Sequence, residues 1–418
     1  MDNSIGIYIH IPFCKSKCYY CDFNSYSGRE YLVGSYFDAL LSEMKNSAEL
    51  LSERPVRTIF IGGGTPSLVD PKYISSLLEV CSKYFKVNAE AEISMESNPG
   101  TLTYDSLKAY RAAGVNRLSM GLQAWQDRLL KDMGRIHCRQ QFVDNLEAAF
   151  KAGFQNINAD LIFGLPGQTF EDWVETLEAV TALAFNTGRG LSVGTFAGLS
   201  HLSCYSLKIE EDTNFGDRLD EGTLVAADDE LDRRMYRYTV EFLARKGYKH
   251  YEISNFAKPG FECRHNLVYW KALEYAGFGA GAHSYLNHRR FSNAAGIEEY
   301  MEAVRQTGAN CEGGQHKDIQ FIDWQEAMSE FMILGLRLID GVCANEFQTR
   351  FGESLQAVYG DTLEKLVKEG LLAKRKNRYD EACSHNSGSR IVNAKDNVCF
   401  NLTTLGLDFA NSVFVEFI

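Results

Sequence analysis

The hydrophobic and polar positions from residue 5 to about residue 250 alternate between strand and helix patterns. Strands are expected at Ile5–Pro12, Thr58–Gly62, Glu92–Glu96, Arg117–Gly121, Ile157–Phe163 and Cys204–Ile209. Between them, Tyr36, Phe37, Leu40, Leu41, Met44 and Ala48 recur at the three- and four-residue spacing of an amphipathic helix. A second helix runs from Thr103, an N-cap residue, to Gly114, a C-cap residue. A third opens at Thr169 with Asp172 three residues on, a capping-box signature. Six strands alternating with helices predict a parallel α/β sheet, curved or closed toward a barrel.

The strand ends carry unusual residues. GGGTPS (Gly62–Ser67) follows the second strand, ESNPG (Glu96–Gly100) the third and GLQ (Gly121–Gln123) the fourth. The fifth holds Asp160 and leads into GLPGQT (Gly164–Thr169). In parallel α/β folds ligands bind at the carboxyl ends of strands, so these segments are expected to converge on one site. Residues 251–315, rich in aromatics and glycine, are expected to be irregular structure lying over that pocket. Residues 316–418 change to helices at Trp324–Ile339, Ala344–Phe351 and Ser354–Glu369. A hairpin of Leu371–Tyr379 with Val398–Leu402, joined by the polar stretch 380–397, and a last helix from Gly406 complete a small winged-helix-like domain.

Composition narrows the class. A chain of 418 residues with 45% hydrophobic and 23% charged residues is ordinary for a globular protein of about two or three domains. No apolar run approaches the roughly 20 residues of a membrane span. A net charge of −12 disfavours a broad nucleic-acid surface. Lys374, Arg375, Lys376 and Arg378 on the expected wing read as a solvated hairpin, not a DNA contact.

The candidate chemistry starts at Cys14, Cys18 and Cys21, a C-x₃-C-x₂-C spacing. Three thiolates this close can hold three corners of a four-iron cluster and leave one iron open to another ligand. Zinc is the alternative, with His10 or Asp22 as a fourth ligand. The opening MDNSIGIYIHIP has no leader pattern, so a reducing, cytoplasmic location is expected. The remaining cysteines (Cys81, Cys138, Cys204, Cys263, Cys311, Cys343, Cys383 and Cys399) show no cluster spacing and are expected to be small buried hydrophobes.

Nine segments in order carry a resemblance: the cysteine triplet in YIHIPFCKSKCYYCDF, GGGTPS, ESNPG, GVNRLSMGLQ, MGRIH, DLIFGLPGQT, YEISNFAKPG, HNLVYW and GAGAHSYL. Together they resemble the HemW heme-chaperone family, a branch of the radical S-adenosylmethionine (SAM) superfamily related to oxygen-independent coproporphyrinogen III dehydrogenase (HemN). The resemblance implies a partial (β/α)6 barrel, a [4Fe–4S] cluster on Cys14, Cys18 and Cys21, and SAM on the open iron. It places SAM contacts on Tyr8, Tyr20, Gly63, Gly64, Thr65, Glu96, Gln123, Arg135 and Asp160.

Two positions separate the branches. The dehydrogenase type carries a fourth cysteine two residues after the third, where this chain has Phe23. HNLVY (His265–Tyr269) fits the H-N-x-x-Y element with which heme chaperones hold heme, so the resemblance places heme on His265, with His283 second. The plain alternative for His265 is a satisfied loop histidine. The expected function is heme binding and delivery to acceptor hemoproteins, with a homodimer as the family's oligomeric form. SAM binding is expected and coproporphyrinogen III dehydrogenation is not; the competing reading is a tetrapyrrole-modifying radical SAM enzyme.

Overall fold

The computed structural model describes residues 3–186, 196–307, 317–376 and 398–418. Cys311, Cys383, Arg378 and the polar stretch 380–397 lie outside the described residues. Six parallel strands form the centre: β1 (Ile5–Ile11), β2 (Pro55–Gly63), β3 (Lys86–Ser97), β4 (Arg117–Gln123), β5 (Asn156–Phe163) and β6 (His201–Ser206). Each pairs in parallel with the next. The longer helices of this part are α1 (Val33–Asn46), α2 (Pro71–Tyr84), α3 (Tyr104–Ala113), α4 (Arg139–Ala152), α5 (Phe170–Ala182) and α6 (Asp229–Arg245). This is the α/β radical-SAM arrangement expected from the sequence.

The two-residue period of the strands decides which side chains meet. Ile5, Ile7, Ile9 and Ile11 of β1 are buried in one apolar cluster with Tyr36, Leu40 and Met44 of α1 and Ile74 and Leu77 of α2. The alternate positions turn to the other face and are polar. There Arg117 donates to Ser94 at 3.0 Å, Ser119 to Asp160 at 2.9 Å and Asn158 to Ser119 at 2.7 Å, joining β3, β4 and β5. The helix ends follow their capping residues. The Thr103 hydroxyl accepts from the Ser106 amide at 3.1 Å, and Gly114 closes α3 at φ 113°. Thr169 and Asp172 bond reciprocally at the start of α5.

Within 251–315 the described residues, 251–307, correct the expectation of irregular structure. They are mostly regular and extend the sheet at both edges. β7 (Lys249–Glu252) and β8 (Asn255–Ala257) form a hairpin on β6. The short helix α7 (Arg264–Trp270) follows. Then β9 (Tyr275–Phe278) pairs in parallel with β1, and β10 (His283–Leu286), β11 (Arg289–Ser292) and β12 (Lys317–Phe321) continue antiparallel. Glycine masked these strands: GFGAGAHSY reads as loop by composition. A Cβ on Gly277 would sit 2.1 Å from the His283 carbonyl, so the residue is glycine to let β9 and β10 close. Helix α8 (Ile297–Thr307) packs on α1.

The C-terminal part holds α9 (Trp324–Gly335), β13 (Val342–Cys343), α10 (Ala344–Phe351), α11 (Leu355–Lys368), β14 (Leu372–Lys376) and β15 (Val398–Leu402). The expected hairpin is present, with Leu372 opposite Leu402, and β13 adds a third strand. Two short helices, α12 (Thr404–Asp408) and α13 (Ala410–Val415), end the chain. Cys343 and Cys399 face each other across β13 and β15 and are disulfide-bonded, where buried thiols were expected. Cys81, Cys204 and Cys263 are free and buried, as expected; Cys138 is free and only half-buried.

Candidate cofactor site at the barrel mouth

The cysteine segment is stapled to the end of β2 by backbone bonds. The Gly64 amide donates to the Ile11 carbonyl at 2.9 Å and the Thr65 amide to the Phe13 carbonyl at 2.8 Å. The glycines make this approach possible. A Cβ on Gly64 would lie 2.7 Å from the Phe13 carbonyl, and Gly63, at φ 112°, would meet the His10 ring. The amides of Gly63, Gly64 and Thr65 are therefore engaged within the protein. The glycines bring two backbone segments together, a task distinct from the ligand approach that sequence reasoning assigned them.

Cys14 is buried and Cys18 and Cys21 half-buried, all three free. Burial pushes the Cys21 thiol up to about 11 and the Cys14 thiol in the same direction, and the neighbouring thiols add to both shifts. The Thr65 hydroxyl lies 3.5 Å from the Cys14 sulfur, and Arg135 Nη1 donates to the Cys18 sulfur at 3.4 Å. Arg135 Nη2 holds the Asn98 side-chain oxygen and the Gly121 carbonyl, each at 2.7 Å. Arg135 thus links the Cys18 sulfur to the ends of β3 and β4. Its buried Nε has no acceptor among the described residues.

Among the described residues no three His, Cys, Asp or Glu side chains surround a single metal position. His10, a candidate zinc ligand, has both ring nitrogens engaged: Nε2 donates to the Asn24 carbonyl at 2.7 Å, so Nδ1 accepts the Tyr8 hydroxyl at 2.9 Å. Asp22, the other zinc candidate, is exposed. Phe23 is 62% exposed beside them.

Below the thiols, Glu96 and Asp160 face the same interior from β3 and β5. Burial and the Asp160 charge push the Glu96 carboxyl up to about 8. Burial raises Asp160 too, against hydrogen bonds from Ser119 and Asn158. Two carboxyls raised together mark a place short of positive charge. SAM carries a sulfonium and an ammonium, so it supplies what this interior lacks. Tyr8 and Tyr20 line the space, both hydroxyls pushed up by burial. Gln123 closes β4 at φ 71°, a strained value for a side-chain-bearing residue, next to a register shift between Gly121 and Gln123. The mouth therefore collects Tyr8, Tyr20, Gly63, Gly64, Thr65, Glu96, Gln123, Arg135 and Asp160 around the three thiols. Asn98, which ties Thr65 at 2.9 Å to Arg135, was missed by sequence reasoning although it lies inside ESNPG.

His265 lies at the other end. It sits over the Gly6–Thr58–Glu92 level of the sheet, four residues and about 13 Å below the His10–Gly62–Glu96 level. Its Nδ1 is 2.8 Å from the Thr58 hydroxyl, its Nε2 3.0 Å from the Tyr269 hydroxyl, and its ring stacks on Phe60. Glu92 accepts from the Arg264 and His265 amides, each at 3.1 Å, and so caps α7. Burial and the Arg117 charge push the imidazole down to about 3, so it is neutral. In this arrangement α7 plugs the barrel floor and neither ring nitrogen of His265 is free. His283 is exposed on β10, away from both groups.

Comparisons with known proteins concern the family and the fold. A family model described as "Radical SAM superfamily" matches residues 8–180, and one described as "HemN C-terminal domain" matches residues 322–379. The solved structure of coproporphyrinogen III oxidase (HemN) from Escherichia coli, described as a radical SAM enzyme, aligns with a TM-score of 0.79. It covers 100% of this chain and 90% of that one at 23% identity, a likeness of fold. Fold and thiol-lined mouth together define a radical SAM protein, a class that implies a [4Fe–4S] cluster and SAM. The chain is 35% identical over 412 residues to heme chaperone HemW of Bacillus subtilis strain 168, covering 98% of each. It is 39% identical over 280 residues to heme chaperone HemW of Escherichia coli K12, covering 67% of this chain and 69% of that one. The chain belongs to the HemW heme-chaperone family.

Proposed function

We propose that this chain binds heme and delivers it to acceptor hemoproteins, and that its core holds a [4Fe–4S] cluster on Cys14, Cys18 and Cys21 with SAM in the mouth. The observation that carries the reading is the end-to-end similarity to a heme chaperone, which covers 98% of both chains. When bound, the reduced cluster supplies an electron to the SAM sulfonium. The chain's own residues bind and orient. Glu96 and Asp160 offset positive charge, Arg135 holds the Cys18 sulfur through a hydrogen bond, and Gln123 offers an amide to the nucleoside. Exposed Phe23 occupies the place of the dehydrogenase branch's fourth cysteine, which weighs against porphyrinogen decarboxylation. No helix among the described residues is long and apolar enough to cross a membrane. The proposed setting is the cytoplasm, with a second copy of the chain as partner.

The test is anaerobic reconstitution with iron and sulfide, then incubation with reductant, SAM and coproporphyrinogen III. The reading expects no protoporphyrinogen. Multiple-turnover product formation overturns it in favour of the dehydrogenase.

A further inference from the structure

A heme site needs a wide apolar slot, a flat stacking partner and cations for two carboxylates. The barrel interior does not offer these. Below Glu96 it is filled by Arg117, His201, Phe60 and His265, tied to one another and to the strands. The slot lies outside, between α7 and the C-terminal domain. A cavity of about 790 Å³ opens there, within the range of small-molecule sites of roughly 300–1,000 Å³.

Helical geometry divides α7 into two faces. His265, Val268 and Tyr269 turn to the barrel, where His265 and Val268 are buried. Arg264, Leu267 and Lys271, spaced at three and four residues, turn to the cavity with Trp270. Phe331 and Leu338 of the C-terminal domain form the opposite wall. The Trp270 indole has the Arg337 guanidinium over its ring at 4.4 Å, and its buried Nε1–H has no acceptor among the described residues, an unmet donor in the cavity wall.

The charges complete the match. In a chain of net charge −12, the cavity is rimmed by five cations. Three are committed. Lys249 and Arg375 pair with Asp340 at 3.2 and 3.4 Å, and Arg350 donates to the Lys271 carbonyl at 2.9 Å. Arg264 places only Nη1 on the Glu90 carbonyl, at 2.6 Å. Lys271 is exposed, and its ammonium has no partner among the described residues. Glu262 and Glu346 also line the cavity.

Resting on the heme reading above, we infer that the cavity between α7 and the C-terminal domain is the docking site of the tetrapyrrole ring. Trp270 and Phe331 contact the macrocycle, and Arg264 and Lys271 hold its propionates. No histidine among the described residues lines the cavity, so ring and carboxylate recognition there does not depend on iron.

The experiment titrates the reconstituted full chain with hemin, followed at the Soret band, and with iron-free protoporphyrin IX, followed by quenching of tryptophan fluorescence. If the wild-type chain binds neither, the heme reading itself fails. If it binds, Trp270→Ala and the exposed pair Arg264→Glu with Lys271→Glu are each expected to raise Kd for both ligands about tenfold or more. Cluster absorption in the same samples confirms a folded core, and the exposed charge pair keeps the test alive if Trp270→Ala fails to fold. Two outcomes overturn the site while leaving heme binding intact: a charge-pair variant that binds both ligands like the wild type, or a wild type that binds hemin but not protoporphyrin IX.

Discussion

Glu96 joins the chemistry of the mouth to the stability of the fold. Its carboxyl is raised from 4.5 to about 8, so the folded, ligand-free chain holds a proton that the unfolded chain releases earlier. A carboxyl raised in this sense contributes stability below its unfolded value and loses it as pH climbs through the folded one. Urea melts of the ligand-free protein should therefore show stability falling between about pH 4.5 and 8. Glu96→Gln should flatten that slope. Cationic SAM favours the ionised carboxyl, so its affinity should rise with pH over the same window in the wild type and not in Glu96→Gln. Gly64 gives a second prediction. A valine there collides with the Phe13 backbone that leads into Cys14, so Gly64→Val should lose the cluster as well as SAM, read by visible absorption and calorimetry. His265 gives a third. His265→Ala leaves the Thr58 and Tyr269 hydroxyls unpaired and opens a cavity on the barrel floor, a loss of about 2–4 kcal/mol measurable by chemical unfolding. A loss of heme binding in that variant therefore has to be read against a melting curve.

At the scale of elements, the strand–helix alternation was legible because the strands carry their own period and α2, α3, α5 and α6 carry caps of their own. Thr103, Gly114 and Thr169 act as their residue types predict. The cysteine loop drew attention through its spacing, and the proposed cluster has a direct test: Cys14→Ala, Cys18→Ala or Cys21→Ala should each abolish cluster absorption, while Cys81→Ala should not. What stayed hidden depended on pairing between distant residues. β9 and β10 are short and flank a glycine-rich turn, and only their place beside β1 makes them strands. Helix α7 carries no N-cap of its own; Glu92 from β3 supplies it across 172 residues of chain. Local propensity does not encode such a cap. The Cys343–Cys399 bond was hidden likewise, since it follows from β13 lying on β15.

Across the whole molecule the two ends of the barrel do different work. The mouth gathers thiols and raised carboxyls, and the floor is sealed by α7, whose outer face turns to the C-terminal domain. That domain is tied to the barrel by Asp408, which accepts from Arg233 at 3.1 Å and also pairs with Arg237 of the same helix, α6. Sequence motifs marked both ends as special but carried no sign of their separation, because nothing in HNLVYW says which side of a curved sheet it closes. The direct measurement is an equilibrium titration of the anaerobically reconstituted chain with heme, followed at the Soret band. The account predicts a single saturable transition with the cluster spectrum unchanged. The absence of any saturable transition, in a sample whose cluster is intact, would contradict it.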